Sequence, residues 1–141
     1  MTISNCALVG APTECTGRPG GLERSPTVLR DLGVADAIGA GVVGAAAVAR
    51  ARRRTRDAVE NNLNSGNRPV VLGCCCTYVI GAMAAATREF DRCGLVDADG
   101  HLDLFAGQTS PTGEAAAMSM AAMLGRAGGR ADVMTRSRRI L

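Results

Sequence analysis

The residues best suited to chemistry lie in one short segment, Asp97-Ala-Asp99-Gly-His101-Leu-Asp103. Asp99, His101 and Asp103 fall at i, i+2 and i+4, and in an extended segment leaving a strand alternate residues point the same way. Two carboxylates and one imidazole on a common side form a donor set for a divalent cation such as Mn²⁺. His101 is the only histidine in the chain. The plainer reading of the same residues is an acidic, solvated loop after a strand.

A second cluster is the consecutive run Cys74-Cys75-Cys76. Cys74 and Cys76 can face one way, with a following helix N-terminus lowering a thiolate pKa. Together with Cys93 and His101 they would make a soft-metal or redox site. Without a Cys-x-x-Cys pair, the simpler reading is small apolar residues filling the junction of strand and helix. Cys6 and Cys15 read as packing residues. Adjacent cysteines make strained pairs. Met1 to Cys6 carries no basic region followed by an apolar one. These features predict reduced thiols in a cytoplasmic protein.

The elements that must position these clusters follow from apolar patterning. Cys6-Ala-Leu-Val9 reads as a buried strand leaving through Gly10-Ala-Pro12. Gly17 to Gly21 is a loop; it lacks the Gly-Lys-Ser/Thr ending of a phosphate cradle. Ser25 is placed to cap a helix with Pro26 at its first position. Val28, Leu29 and Leu32 would form the apolar face, and Gly33 the end. Gly39 to Ala49 is at best a weak helix. Thr55 to Leu63 reads as an exposed amphipathic helix with Ala58, Val59 and Leu63 on one side, ended by Asn64-Ser-Gly-Asn67. Pro69-Val-Val-Leu72 is the clearest strand. It runs into Gly73, with Thr77 capping a helix to about Glu89 whose face is Ile80, Met83, Ala84 and Thr87. Gly94-Leu-Val96 reads as another short buried strand. Thr109 to Gly113 is a turn, followed by an apolar helix from Glu114 to Leu124 that Gly125 ends. Met118, Met120 and Met123 are core residues of that helix.

Strands alternating with helices predict a three-layer α/β/α architecture around a parallel sheet. In such sheets ligands gather at the carboxyl ends of the strands, and both clusters follow strand ends. Residues 1–125 form the domain, and 126–141 an Arg-rich, disordered tail. All sixteen basic residues are arginine. Five of them fall from Arg126 onward against one Asp, giving the tail +4 and the body −1. With no basic face and few aromatics, the charge argues against nucleic-acid binding. Arg52 to Arg54 read as a solvated face. Val34 to Ala49 resembles a membrane span, but it contains Asp36 and three glycines and is shorter than the roughly 20 residues required.

Four segments in order resemble the ureohydrolase family of arginase, agmatinase and relatives, over roughly residues 5 to 125. Asp99, His101 and Asp103 match that family's Asp-x-His-x-Asp motif. Val-Leu-Gly73-Cys-Cys-Cys76-Thr-Tyr is similar to its Leu-Gly-Gly-Asp/Glu-His-Ser segment. Gly10-Ala-Pro12 and Gly20-Gly21-Leu-Glu23-Arg-Ser-Pro26-Thr-Val-Leu29-Arg resemble its opening. Thr109-Ser-Pro-Thr-Gly113-Glu resembles its substrate loop. The resemblance implies a partial ureohydrolase fold, a Mn²⁺ site ligated by Asp99, His101, Asp103 and Cys76, and substrate contacts from Ser110, Thr112 and Glu114. It implies an ancestral hydrolysis of a guanidino C–N bond in a small substrate, using water activated by the metal.

The departures are specific. The family's histidine ligand falls on Cys76, the acidic residue before it on Cys75 and the second glycine on Cys74. A thiolate prefers ions softer than Mn²⁺, so Zn²⁺ becomes the cofactor if the cysteines ligate. The sequence has no second Asp-x-Asp pair, and Ala116 lies near the position of a family histidine. Two metal ions need several carboxylates to offset their charge. The expectation is a truncated or degenerate member with a partial site, inactive or impaired as this chain. The alternatives are a non-catalytic cysteine-based metal-binding protein, or a subunit pairing with itself or a fuller homologue through an open sheet edge.

Overall fold

The structure, a computed structural model, describes residues 6–12, 20–34, 41–43 and 48–126. Strand β1 (Cys6–Ala11) is buried along its whole length and lies at the centre of a three-stranded parallel sheet. On one side it pairs with β2 (Gly41–Val43), and on the other with β3 (Arg68–Gly73). An unbroken run of small and branched apolar residues suits a strand covered on both faces. Leu8 and Val9 are at most 1% exposed. The register aligns Cys6 with Arg68 and Ala11 with Gly73, so β1 and β3 end together.

Helix α1 (Ser25–Asp31) continues from a 3₁₀ turn over Leu22–Arg24. Because that turn runs straight into the helix, Ser25 already has helical backbone and does not cap it. Its hydroxyl donates instead to the Leu22 carbonyl at 2.6 Å. Pro26 is buried against Gly10, where an added Cβ would come within 3.3 Å of the proline. The apolar face expected on α1 is only partly used, since Val28 and Leu32 are exposed. Gly33 closes the helix with positive φ, as its position predicts.

The segment 39–49 departs from the weak helix expected of it. Gly41–Val43 is a strand, and helix α2 begins at Val48 and runs to Asn64. Two β-branched valines suit a strand, and β1 offers them a ladder. Thr55 and Val59 form the buried stripe of α2. The helix ends in a Schellman arrangement around Gly66, with Gly66 N donating to Leu63 O and Asn67 N to Asn62 O, each at 2.9 Å.

Helix α3 (Tyr78–Glu89) packs on α2 and buries Ile80, Met83 and Ala85. Arg88 and Glu60 join the two helices at 3.2 Å. Thr77 makes no capping hydrogen bond; its hydroxyl lies 3.0 Å from Cys75 Sγ.

The strand expected at Gly94–Val96 does not form, and Val96 is 94% exposed. A strand needs a neighbour to receive its backbone groups, and among the described residues β3 pairs only with β1. Cys93 and Leu95 still pack against the core. The single helix expected from Glu114 to Leu124 is instead a 3₁₀ turn, Ala116–Met118, leading into a short helix α4 (Ser119–Met123). Gly125 ends it with positive φ. Ile80 and Met83 of α3 meet Met118, Ala121, Ala122 and Met123 in one apolar cluster.

No described helix is long and apolar enough to cross a membrane. Cys15, the loop 17–19 and the tail beyond Arg126 lie outside the described residues.

Candidate metal centre

Cys76 enters the site from the end of β3. The strand finishes at Gly73, and an added Cβ there would meet the Tyr78 ring at 2.5 and 2.7 Å and Ala11 Cβ at 3.2 Å. Glycine therefore lets the first residue of α3 fold back over the strand end, and the turn between them sets Cys76.

The loop carrying the acidic residues is bent. Asp99 Oδ1 accepts a 3.0 Å hydrogen bond from His101 N, an Asx turn. Asp103 has φ +48°, the one described non-glycine residue in the left-handed region. Aspartate tolerates that conformation better than most residues. Its buried carboxylate accepts a 2.8 Å hydrogen bond from Ser119 Oγ. Asp103 O accepts from Ala121 N at 3.0 Å, and Phe105 N donates to Ala117 O at 3.1 Å. The start of α4 thus braces the loop through side chain and backbone.

Bending decides which donors meet. The donor atoms of Cys76, Asp99 and Asp103 lie within 4.8 Å of one another, with Cys76 Sγ 3.6 Å from Asp99 Oδ2. His101 stands outside that group. Its side chain is 88% exposed, and its Nδ1 is 3.6 Å from Asp99 Oδ1. Burial, reinforced by the hydrogen bond and charge of Asp103 and then by Asp99, pushes the Cys76 thiol up to about 12. The backbone hydrogen bond from His101 lowers the pKa of Asp99.

The cluster opens on a cavity of about 610 Å³ lined by Cys76, His101, Asp103, Phe105, Thr112 and Glu114, among others. Ser110 is not among its lining residues. Its hydroxyl accepts from Gly113 N at 3.0 Å and holds the turn that presents Thr112 and Glu114. Thr112 Oγ1 accepts from Glu114 N at 3.3 Å. Ser119 was invisible to spacing arguments. Its only sequence signal is a hydroxyl residue interrupting an apolar stretch.

The thiol expectation needs correction at one residue. Cys75 is disulfide-bonded, whereas Cys6, Cys74, Cys76 and Cys93 are not. Strain disfavours a bridge between adjacent cysteines, but it does not limit a bridge from Cys75 to a distant one.

One thiol and two carboxylates beyond the carboxyl end of a parallel strand, with Cys76 and Asp103 lining a cavity, define an α/β protein with a candidate divalent-metal centre. The arginase family model matches residues 4–134. Arginase from Bacillus caldovelox is 35% identical over 79 residues, 56% of this chain and 26% of that relative. Arginase from Brevibacillus brevis is 32% identical over 78 residues. The chain superposes on the B. caldovelox arginase structure with a TM-score of 0.82, covering 97% of this chain and 54% of that one at 22% identity. On Bacillus cereus arginase the TM-score is 0.76 at 26% identity, covering 85% of this chain and 47% of that one. The chain belongs to the arginase family. It spans about half the length of the solved arginases it matches.

Proposed function

We propose that the chain is an arginase-family protein whose cluster of Cys76, Asp99 and Asp103 holds a single divalent cation beside a pocket for a small guanidino compound. The observation that carries this reading is the convergence of those three donors, within 4.8 Å of one another, with Cys76 and Asp103 on the cavity wall. Asp99 and Asp103 supply the negative charge and Cys76 the third donor. His101 is the available fourth ligand, because an exposed side chain can rotate toward the cluster without repacking.

A bound cation would lower the pKa of water and polarise a guanidino group toward hydrolysis. The chain's own residues do the rest. Glu114 lines the cavity and presents a carboxylate to the cationic guanidinium. Thr112 adds a hydroxyl beside it, and Ser110 holds their turn. Three clustered donors suit one ion with water completing its shell. They supply too little charge for two ions, so hydrolysis by this chain alone is absent or impaired.

The test is thermal unfolding with and without Mn²⁺, together with urea release from arginine and agmatine. Binding to the folded state alone must raise the midpoint. The reading expects a rise that is lost in Asp99→Ala; an unchanged midpoint counts against it.

A second reading, a subunit that pairs with a fuller homologue, is supported by the half-buried residues of β3 and the exposure of Val96, Leu102, Leu104 and Phe105. Stable co-purification is its expected result. A monodisperse monomer in the homologue's presence counts against it.

A further inference from the structure

Resting on the reading that this cluster binds a cation, we propose that Cys76 makes it a thiolate–carboxylate site for one thiophilic ion, Zn²⁺ rather than Mn²⁺. Three observations point there.

The first is donor chemistry. Mn²⁺ is a hard ion served by oxygen and imidazole, whereas thiolates select softer or borderline ions. The cluster's sulfur comes from a half-buried side chain that faces both carboxylates.

The second is spacing. With Zn–S near 2.3 Å and Zn–O near 2.1 Å, a tetrahedral ion separates its sulfur and oxygen donors by about 3.6 Å. Cys76 Sγ and Asp99 Oδ2 already stand 3.6 Å apart. Three protein donors leave the fourth position of such an ion to His101 or to water.

The third is charge. Asp103 is 7% exposed, and among the described residues no arginine pairs with it or with Asp99. A buried carboxylate without a cation is costly. The hydrogen bond from Ser119 nonetheless holds this one beside the cavity.

Zn²⁺ outbinds Mn²⁺ at most sites, so the preference alone decides nothing; its dependence on Cys76 does. The experiment titrates the reduced, metal-free full chain with Co²⁺, Zn²⁺ and Mn²⁺. Wild-type protein is expected to show a near-ultraviolet thiolate-to-cobalt charge-transfer band, lost in Cys76→Ser and kept in Cys74→Ser. Cys76→Ser should weaken Zn²⁺ on the order of 100-fold, as loss of a ligand requires. Cys76→His should strengthen Mn²⁺ and narrow the ratio between the two ions. Circular dichroism melting checks that each variant folds. If Cys76→Ser does not, mass-spectrometric mapping of alkylation on the wild type decides instead, with Zn²⁺ protecting Cys76. Cobalt binding without the band, a band that survives Cys76→Ser, or alkylation of Cys76 unaffected by Zn²⁺ overturns the selectivity while leaving a cation site standing. Failure of all three ions to bind removes both proposals.

Discussion

Ser119 Oγ donates a 2.8 Å hydrogen bond to Asp103 Oδ2, so the first residue of α4 holds a buried carboxylate sixteen residues before it. A hydrogen bond to a charged group contributes about 1.5–3 kcal/mol, and its removal leaves that group unsatisfied. Ser119→Ala should therefore lower the unfolding midpoint and weaken cation binding roughly 10-fold, in line with loss of a partner that orients a ligand. Ser119→Thr should restore much of both. Calorimetric titration of the two variants measures this, and unchanged affinity in Ser119→Ala would separate Asp103 from the cation.

The position of Cys76 between two carboxylates sets a pH dependence. Its ordinary pKa of 9.0 is raised to about 12, chiefly by burial. The folded state therefore favours the protonated thiol. This contribution to stability is fully present below pH 9 and is lost as pH rises from 9 toward 12. In metal-free protein at pH 9, Cys76 should react with iodoacetamide far more slowly than in urea-unfolded chain. Asp103→Asn removes a charge and a hydrogen-bond acceptor, so it should speed the folded reaction. Equal rates folded and unfolded would contradict the arrangement.

Gly73→Ala tests the strand end. The new Cβ would sit 2.5 Å from the ring of Tyr78, which is 5% exposed and cannot swing clear. Overpacking of this kind costs about 1–3 kcal/mol. Because the displaced turn carries Cys76, cation affinity should fall with stability. Gly94→Ala, where nothing lies within 4 Å, is the control and should change neither. Urea unfolding of both variants makes the comparison.

Thr55 is 0% exposed, and its hydroxyl has no hydrogen-bond partner among the described residues. Thr55→Val keeps the shape and removes an unsatisfied polar atom, so it should raise stability by about 1 kcal/mol. A lower midpoint would mean that the hydroxyl is satisfied in solution.

The local elements were legible where pattern and capping agree. The β1 run and the Pro69–Leu72 strand are apolar in the way buried parallel strands require, and Gly33, Gly66 and Gly125 end helices where positive φ is needed. Elements whose existence depends on a neighbour were not. Gly41–Val43 becomes a strand because β1 offers it a ladder, whereas Gly94–Val96 has comparable residues and gains no partner.

The same division runs through the site. Spacing singled out Asp99, His101 and Asp103, because carboxylate and imidazole are side chains that hold cations, and the family resemblance added Cys76. The order of four motifs was enough to place the chain in its family. Which donors converge depended on tertiary structure. The alternate-residue argument assumes an extended chain, but the Asx turn at Asp99 and the left-handed backbone of Asp103 bend the loop. Cys76 thereby joins the two carboxylates, and His101 stands aside. Ser119 is brought to Asp103 by the docking of α4 on α3. Side-chain chemistry is local and can be read in one dimension; distances between residues far apart in the chain are set by packing, which forms only in three.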